Sequence, residues 1–402
     1  MITYLSADNF KGLNNFHIEF EPLTVIIGDN GAGKSTILQV IDFLSDFSIN
    51  RDLLGYFEKR EWNISELKSK LNPNRNINFK LGFKVDTLED HDFHFAWDVV
   101  FTTKKDEIYL VREEIKELNN NKYIMKRDNS KFELHSIMND KVIKSEEDMP
   151  INMSLPFSLL SILNGRGENF PELIHIKNFL KNIKSFELLS TEKMRKHSRG
   201  KVDDIGVGGD KLATFLHGLS RESRESVISK VKKYIPYISD IKTKKKSVGW
   251  TSFEVVEKYN KHDGFNVLSQ YISDGILRIL ALSALKEIKT DNLVILLDEI
   301  EDGINPTLAA TLVNDLVDFI ESNNRQVIVT SHSPLILNNF NHSQIVIVWK
   351  NGDGSIGSAK MFNNDEVIHY LEFMNPGEVW VNFEQSDLLK LVDQEHQWRY
   401  KK

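Results

Sequence analysis

The stretch from Leu23 to Phe47 constrains this chain more than any other. Leu23-Thr24-Val25-Ile26-Ile27 is a continuous apolar run, and Gly28-Asp29-Asn30-Gly31-Ala32-Gly33-Lys34-Ser35 is a glycine-rich loop. Ile37, Leu38, Ile41 and Leu44 then recur at helical spacing. A strand apolar on both sides needs cover on both faces, as the strands of parallel sheets do. A glycine-rich loop between such a strand and a helix lets backbone N–H groups curl around phosphates, and the helix dipole adds to the attraction. In the spacing G-x-x-x-x-G-K-S, Lys34 is suited to the β- and γ-phosphate oxygens and Ser35 to a Mg²⁺ ion. The plain alternative is a glycine turn joining strand to helix, but the flanking strand and helix are the context that phosphate binding demands.

The rest of the chain builds an α/β fold around this unit. Ile77–Phe83, Phe93–Trp97 and Tyr109–Val111 alternate with period two and predict an antiparallel meander. From about Pro156 to Pro236 the chain becomes helical and charged, with the clearest helices at Pro171–Ile183 and Lys211–Leu219. Beyond Tyr271, helix and apolar strand alternate again: helix Ser273–Ile288, strand Leu293–Leu297, helix Pro306–Ile320, strands Gln326–Thr330 and Gln344–Trp349. The expected organisation is a split head, with one lobe and a β-meander in residues 1–150, a mainly helical insertion in 151–268, and a second lobe in 269–402.

Leu293–Leu297 runs into Asp298-Glu299, which places two carboxylates where ligands bind in open α/β sheets, at the strand's C-terminal end. Asp298 suits the metal shell and Glu299 suits positioning of an attacking water, against the alternative of two merely solvated acids. Val329-Thr330-Ser331-His332-Ser333-Pro334 ends the next apolar strand, so the His332 imidazole is expected beside the γ-phosphate or the water. Ser273-Asp274-Gly275 opens a helix with Ser273 at the N-cap, which by itself needs no function. Its place, about 25 residues before the acidic pair, gives it one.

This order of motifs resembles the ABC-class ATPases, in particular their SMC/RecF/OLD-like branch, whose opening strand is also followed by a segment like Asn9-Phe10-Lys11-Gly12-Leu13. The resemblance implies an ABC-type P-loop NTPase head with a mixed β-sheet, an antiparallel β subdomain and a helical insertion. It implies ATP and Mg²⁺ as cofactors, with Asn30, Gly31, Ala32, Gly33, Lys34, Ser35 and Thr36 on the nucleotide and Ser35 and Asp298 on the metal. Glu299 and His332 would be catalytic. Ser273 and Gly275, extended to Arg278, would contact the ATP of a second copy, so that a homodimer encloses two nucleotides, and Glu301–Pro306 would cross the dimer interface. The segments Phe186-Glu187-Leu188-Leu189-Ser190, Gly209–Ala213 and Pro376–Trp380 are similar to compact bacterial ATPases of this branch, many encoded beside a nuclease or another toxic effector and active in phage defence. Two departures stand out. Asp274 occupies a position that is Gly in the transporter relatives, and no Gln lies between Gln39 and Gln270 to serve as the usual loop glutamine, so a residue near Ser190–Glu192 is expected in its stead.

Composition bounds the remaining readings. The 402 residues contain no cysteine and no run of 18 or more apolar residues, which excludes disulfides, thiol catalysis and a membrane-spanning helix. With no signal-peptide plan at the start, a cytoplasmic setting without a membrane partner is expected. A net charge of −7 argues against a uniformly basic nucleic-acid binder but leaves room for a local basic surface. Two clusters offer one, Lys193, Arg195, Lys196, Arg199 and Lys201, and Lys242, Lys244, Lys245 and Lys246, and each reads equally as a solvated face. The expected function is a slow, regulated ATPase that controls a protein effector, nuclease or toxin, in anti-phage defence. The alternative is a RecF/SMC-like DNA-repair or DNA-binding ATPase. Leu388-Leu389-Lys390-Leu391-Val392 reads as a short helix for packing or docking.

Overall fold

A computed structural model describes residues 1–86, 92–104, 107–128, 131–138, 141–144, 157–163, 169–188, 191–260, 263–321 and 325–382, so the expected helix at Leu388–Val392 lies outside the described residues. Numbered in chain order, the strands of the central sheet run β10 (Ile183–Phe186), β15 (Val294–Leu297), β16 (Gln326–Thr330), β3 (Leu23–Ile27), β17 (Ile345–Lys350) and β18 (Ile356–Lys360). The first five are parallel and β18 turns back antiparallel at the edge. Successive residues of these strands enter different cores. Ile26, Leu296, Ile328 and Val346 face one layer, while Val25, Ile27, Ile295, Leu297, Val327, Val329 and Ile347 face the other. Both faces are covered, so the period of two is hidden inside continuous apolar runs.

The first layer is built on α1 (Lys34–Ile49), which places Ile37 and Ile41 in the same core as Ile26. Its far side meets a second sheet, in the order β2 (Phe16–Glu19), β1 (Ile2–Asp8), β4 (Ile77–Asp86), β5 (Asp92–Lys104), β6 (Glu107–Glu117), β7 (Lys122–Asp128), β8 (Lys131–His135), β9 (Val142–Lys144), antiparallel throughout. Phe47 of α1 stacks on Trp97 at 6.0 Å between ring centroids, and Phe43 lies 5.6 Å from Phe101. These pairs fix α1 between two sheets, and with it the loop that precedes it. Helices α2 (Leu53–Lys59), α3 (Leu159–Ile162) and α4 (Pro171–Lys181) complete this layer.

The opposite layer holds α7 (Asp274–Leu285) and α8 (Ala309–Glu321), with α9 (Pro334–Leu337), α10 (Asp365–His369) and α11 (Pro376–Asn382) toward the end of the described chain. Against it lie α5 (Leu212–Gly218) and α6 (Arg221–Tyr234), roofed by a third sheet. There β13 (Trp250–Glu257) pairs with β11 (Ser198–Arg199), β12 (Ile238–Lys245) and β14 (Phe265–Leu268). Residues 151–268 therefore contribute more than helices: an edge strand of the central sheet and a small antiparallel sheet. The cause is composition. β10, Ile183-Lys184-Ser185-Phe186, is buried only at its two ends, and β12 carries lysines where a strand usually carries β-branched residues. No helix among the described residues is long and apolar enough to cross a membrane.

Candidate active site

The loop between β3 and α1 is shaped by glycines that no other residue replaces without strain. Gly31 and Gly33 take φ of 81° and 91°, and a Cβ on Gly28 would lie 2.1 Å from the Val348 carbonyl oxygen. Gly33 caps α1 with no side-chain hydrogen bond, and no acidic residue stands in the first turn, so the helix N-terminus remains available to an anion. The Lys34 ammonium is buried and donates to the Gly28 and Asp29 carbonyl oxygens at 2.7 and 3.1 Å, inside the ring that a phosphate would occupy. Asn30 and Gly31 are exposed, Ala32 is buried, and Gly33, Ser35 and Thr36 are half-buried. These features fit a nucleotide's phosphates.

The acidic pair and the histidine arrive at the same edge because β3, β16 and β15 are parallel neighbours. Ser331 N–H donates to the Ile26 carbonyl oxygen at 3.0 Å, and Ile300 N–H to the Thr330 carbonyl oxygen at 3.2 Å, so the three strand ends are tied together. Thr330 is the pivot. Its fully buried hydroxyl donates to Asp298 Oδ1 at 2.5 Å and accepts the Glu299 N–H at 2.8 Å. Asp298 is thereby oriented, and Glu299 is held with φ at 47°, a left-handed conformation that a non-glycine residue adopts only when its surroundings impose it. His332 is exposed and anchored by Glu301, whose Oε1 accepts the His332 backbone N–H at 2.6 Å and lies 3.2 Å from Nδ1. A half-exposed Ser35 and a Thr330-oriented Asp298 are an oxygen donor pair of the kind Mg²⁺ takes, with phosphate oxygens and water completing the shell.

Ser273 caps α7 as expected, accepting from Ile276 N–H at 3.5 Å, and Ser273 and Asp274 are exposed. The segment after β10 fastens this helix start: Thr191 donates its hydroxyl to Asp274, and Arg195 donates to Asp274 and to the Ile272 carbonyl oxygen. The Thr191 hydroxyl, with the Arg195 guanidinium behind it, holds the Asp274 carboxyl below the usual carboxylate range. Gly275 lies against the loop after the acidic pair, where a Cβ would come 2.7 Å from the Gly303 carbonyl oxygen. Arg278 binds that loop through Asp302 at 2.8 Å and reaches the Leu188 carbonyl oxygen at 3.1 Å. Leu189 and Ser190, two of the positions around the absent glutamine, lie outside the described residues.

Phosphate loop, acidic pair and His332 thus meet at one sheet edge, and Ser273 and Gly275 reach it through the Gly303 loop. Sequence reasoning missed Thr330, Glu301, Thr191 and Arg195 as the groups that orient them. A threonine closing a buried strand beside its neighbour's aspartate was the available signal for the first. For the others the sequence offers no local signal.

Comparison with known proteins bears on family and fold. Residues 23–338 match the family described as "AAA domain, putative AbiEii toxin, Type IV TA system". The OLD nuclease of Thermus scotoductus is 38% identical over 64 residues, a match covering 14% of this chain and only 12% of that protein. The Smc head bound to the C-terminal winged-helix domain of ScpA superposes with a TM-score of 0.51 at 17% identity, covering 89% of this chain and 96% of that one. The Smc head with an extended coiled coil, bound to the C-terminal domain of ScpA derived from Pyrococcus furiosus, gives 0.51 at 15% identity over 92% and 98%. These two share the fold. Motifs, fold and a family match across most of its length make the chain a member of this AAA-domain family, an ABC-class ATPase of the SMC/OLD-like branch.

Proposed function

We propose that the chain is an ATP-hydrolysing switch: two copies close around two ATP molecules, and the cycle of closing and opening controls a protein effector of nuclease or toxin type in cytoplasmic anti-phage defence. The observation that best supports this reading is the rim formed by Ser273, Asp274 and Gly275. Ser273 and Asp274 are exposed and Gly275 is half-buried, and the rim is preset by Thr191 and Arg195 and tied through Gly303 and Arg278–Asp302 to the loop that leaves Glu299. A second copy would meet such a rim with its own phosphates.

In this reading Lys34 turns from the Gly28 and Asp29 carbonyls to the β- and γ-phosphate oxygens, and the α1 N-terminus and loop N–H groups hold the remainder. Ser35 and Asp298 would hold Mg²⁺, which when bound supplies positive charge against the phosphate oxygens. Glu299 orients the attacking water, and His332, steadied by Glu301, hydrogen-bonds the γ-phosphate. Without a glutamine between Gln39 and Gln270 the chain positions water with fewer groups, which fits a slow turnover. Kinship supports the effector reading, since the matched family is described by a putative toxin and the relative is named a nuclease.

The test is Glu299→Gln with saturating ATP and Mg²⁺, followed by light scattering. A stable dimer that forms only with ATP is expected, and an exclusively monomeric protein sinks the enclosed-nucleotide mechanism. Lys34→Ala should abolish nucleotide binding, and micromolar binding retained by that variant would refute the phosphate-loop assignment itself.

A further inference from the structure

The phosphate loop, the acidic pair and His332 all address a triphosphate, and none of them offers a surface to the base. Sheet order decides where the base must go. β15 and β16, which lead into Asp298, Glu299 and His332, lie on one side of β3, and β17 and β18 lie on the other. A triphosphate with its γ end toward Glu299 and His332 therefore extends its nucleoside toward β17 and β18. β17 runs parallel to β3, so the turn 351–355 that follows it stands at the same edge as the phosphate loop. Ile356, at the start of β18, ties the pieces together, because a Cβ on either Gly33 or Gly12 would run into its Cδ1.

Beside this turn one apolar side chain is held out toward solvent. Leu71 is 51% exposed, and a Cβ on Gly354 would lie 3.7 Å from its Cδ1. The segment 67–75 that carries it is fastened to the loop between β1 and β2. Lys11 N–H donates to the Leu67 carbonyl oxygen at 2.8 Å, and Ser69 N–H to the Asn9 carbonyl oxygen at 3.2 Å. Asn14 Nδ2 donates to Ser69 Oγ at 3.0 Å, and Asn9 Nδ2 to the Arg75 carbonyl oxygen at 2.8 Å. An exposed leucine is ordinary by itself. A mere connection between α2 and β4 does not require this rigidity.

The amide and hydroxyl groups around Leu71 are engaged with one another. Ser69 Oγ also accepts the Leu71 N–H at 3.3 Å, and Asn14 Oδ1 accepts from Asn72 Nδ2 at 3.3 Å. In the turn, Asn351 accepts from Trp349 Nε1 at 2.8 Å and donates to Ser355 Oγ at 3.0 Å, while Asp353 accepts both the N–H and the hydroxyl of Ser355. A site rejects the wrong ligand strongly where its polar groups would be left unpaired, whereas an apolar face discriminates weakly.

We propose that Leu71 is the platform on which the nucleotide's base lies, against the 351–355 turn, and that the chain accepts adenine and guanine nucleotides nearly equally. The base covers the face of Leu71 that is open to water, and a purine covers more of it than a pyrimidine does. The proposal rests on the orientation of the triphosphate given under the proposed function, and it concerns one copy of the chain, whether or not a second closes over it.

Isothermal titration calorimetry of the full chain with ADP, GDP, CDP and inorganic pyrophosphate, each with Mg²⁺, separates base from phosphate and avoids hydrolysis. ADP and GDP are expected to bind within about threefold of each other, and CDP several-fold more weakly. Leu71→Ala gives up about half of a leucine's burial, so ADP and GDP should weaken roughly 4- to 12-fold while pyrophosphate is unchanged. Leu71→Met, which keeps the apolar face, should bind ADP within about twofold of wild type. The comparison of ADP with GDP needs no variant and stands whatever Leu71→Ala does to folding. A preference between ADP and GDP above about tenfold, an ADP affinity untouched by Leu71→Ala, or a pyrophosphate affinity that falls with it overturns the platform. Wild-type protein that binds pyrophosphate no better than Lys34→Ala does would instead refute the phosphate-loop assignment on which the proposal stands.

Discussion

Thr330→Val is a nearly isosteric change that removes one hydroxyl from the centre of the site. That hydroxyl is fully buried and makes two hydrogen bonds, donating to the Asp298 carboxylate at 2.5 Å and accepting the Glu299 N–H at 2.8 Å. A hydrogen bond to a charged group is worth about 1.5–3 kcal/mol, and an orphaned, partly buried N–H costs about 1–3 kcal/mol. The loop after β15 can relax toward water, so the combined loss is expected at roughly 2–4 kcal/mol rather than the full sum. In a chain of 402 residues each kcal/mol moves the melting temperature by about 1.2 °C, so a fall of about 2–5 °C follows for the nucleotide-free protein. Thr330→Ser keeps the hydroxyl and loses one methyl, about 1 kcal/mol, so it should melt within about 2 °C of wild type. Combining Thr330→Val with Asp298→Ala should give a coupling energy of about 1 kcal/mol or more, because the second change removes one of the two partners. Differential scanning fluorimetry on wild type, the three single variants and the double variant is sufficient. Valine and serine variants that melt together, or a zero coupling, would refute the view that this hydroxyl orients the acidic pair.

Three further outcomes are expected. Gly33→Ala should be worse than Gly31→Ala, because both pay for a positive φ, roughly 1–2 kcal/mol, but only a Cβ at Gly33 also meets Ile356 Cδ1 at 2.3 Å while Gly31 has open space; titration with a fluorescent ATP analogue and melting curves give the order. Val248→Gly should stabilise the protein by about 1 kcal/mol, since it releases an exposed side chain from a left-handed conformation; a lower melting temperature counts against the strain assigned there. Burial, with Arg60 adding to it, pushes the Lys11 ammonium down from 10.5 to about 8, although Gln39 and the Trp62 ring stand beside it. Unfolding then takes up a proton between those two values, so stability should rise with pH from about 8 to 10.5. Denaturant titrations across that window should show the rise in wild type and a flatter profile in Lys11→Met.

The chemistry at the sheet's C-terminal edge was readable in sequence wherever it is local. The loop Gly28–Ser35 carries its own determinants of shape and charge: glycines for positive φ, a lysine, a serine and a helix start, all within eight residues. The apolar runs ending in Asp298-Glu299 and Thr330-Ser331-His332 were legible for a related reason, since a strand buried on both faces has nearly no choice of residue.

What tertiary structure alone decided is how those pieces are held. Parallel register sets Thr330 beside Asp298, a crossing of loops sets Glu301 on His332, and the segment after β10 turns Thr191 and Arg195 onto Asp274. β10 stayed hidden because a four-residue edge strand with polar centre residues carries no pattern of its own. Arg199 and Lys246 looked like members of two separate solvated runs until β11 was paired with β13. Sequence fixes chemistry where neighbours in the chain are neighbours in space. Contacts between residues 30 to 80 positions apart depend on strand order and register, which emerge only from the burial of the whole core.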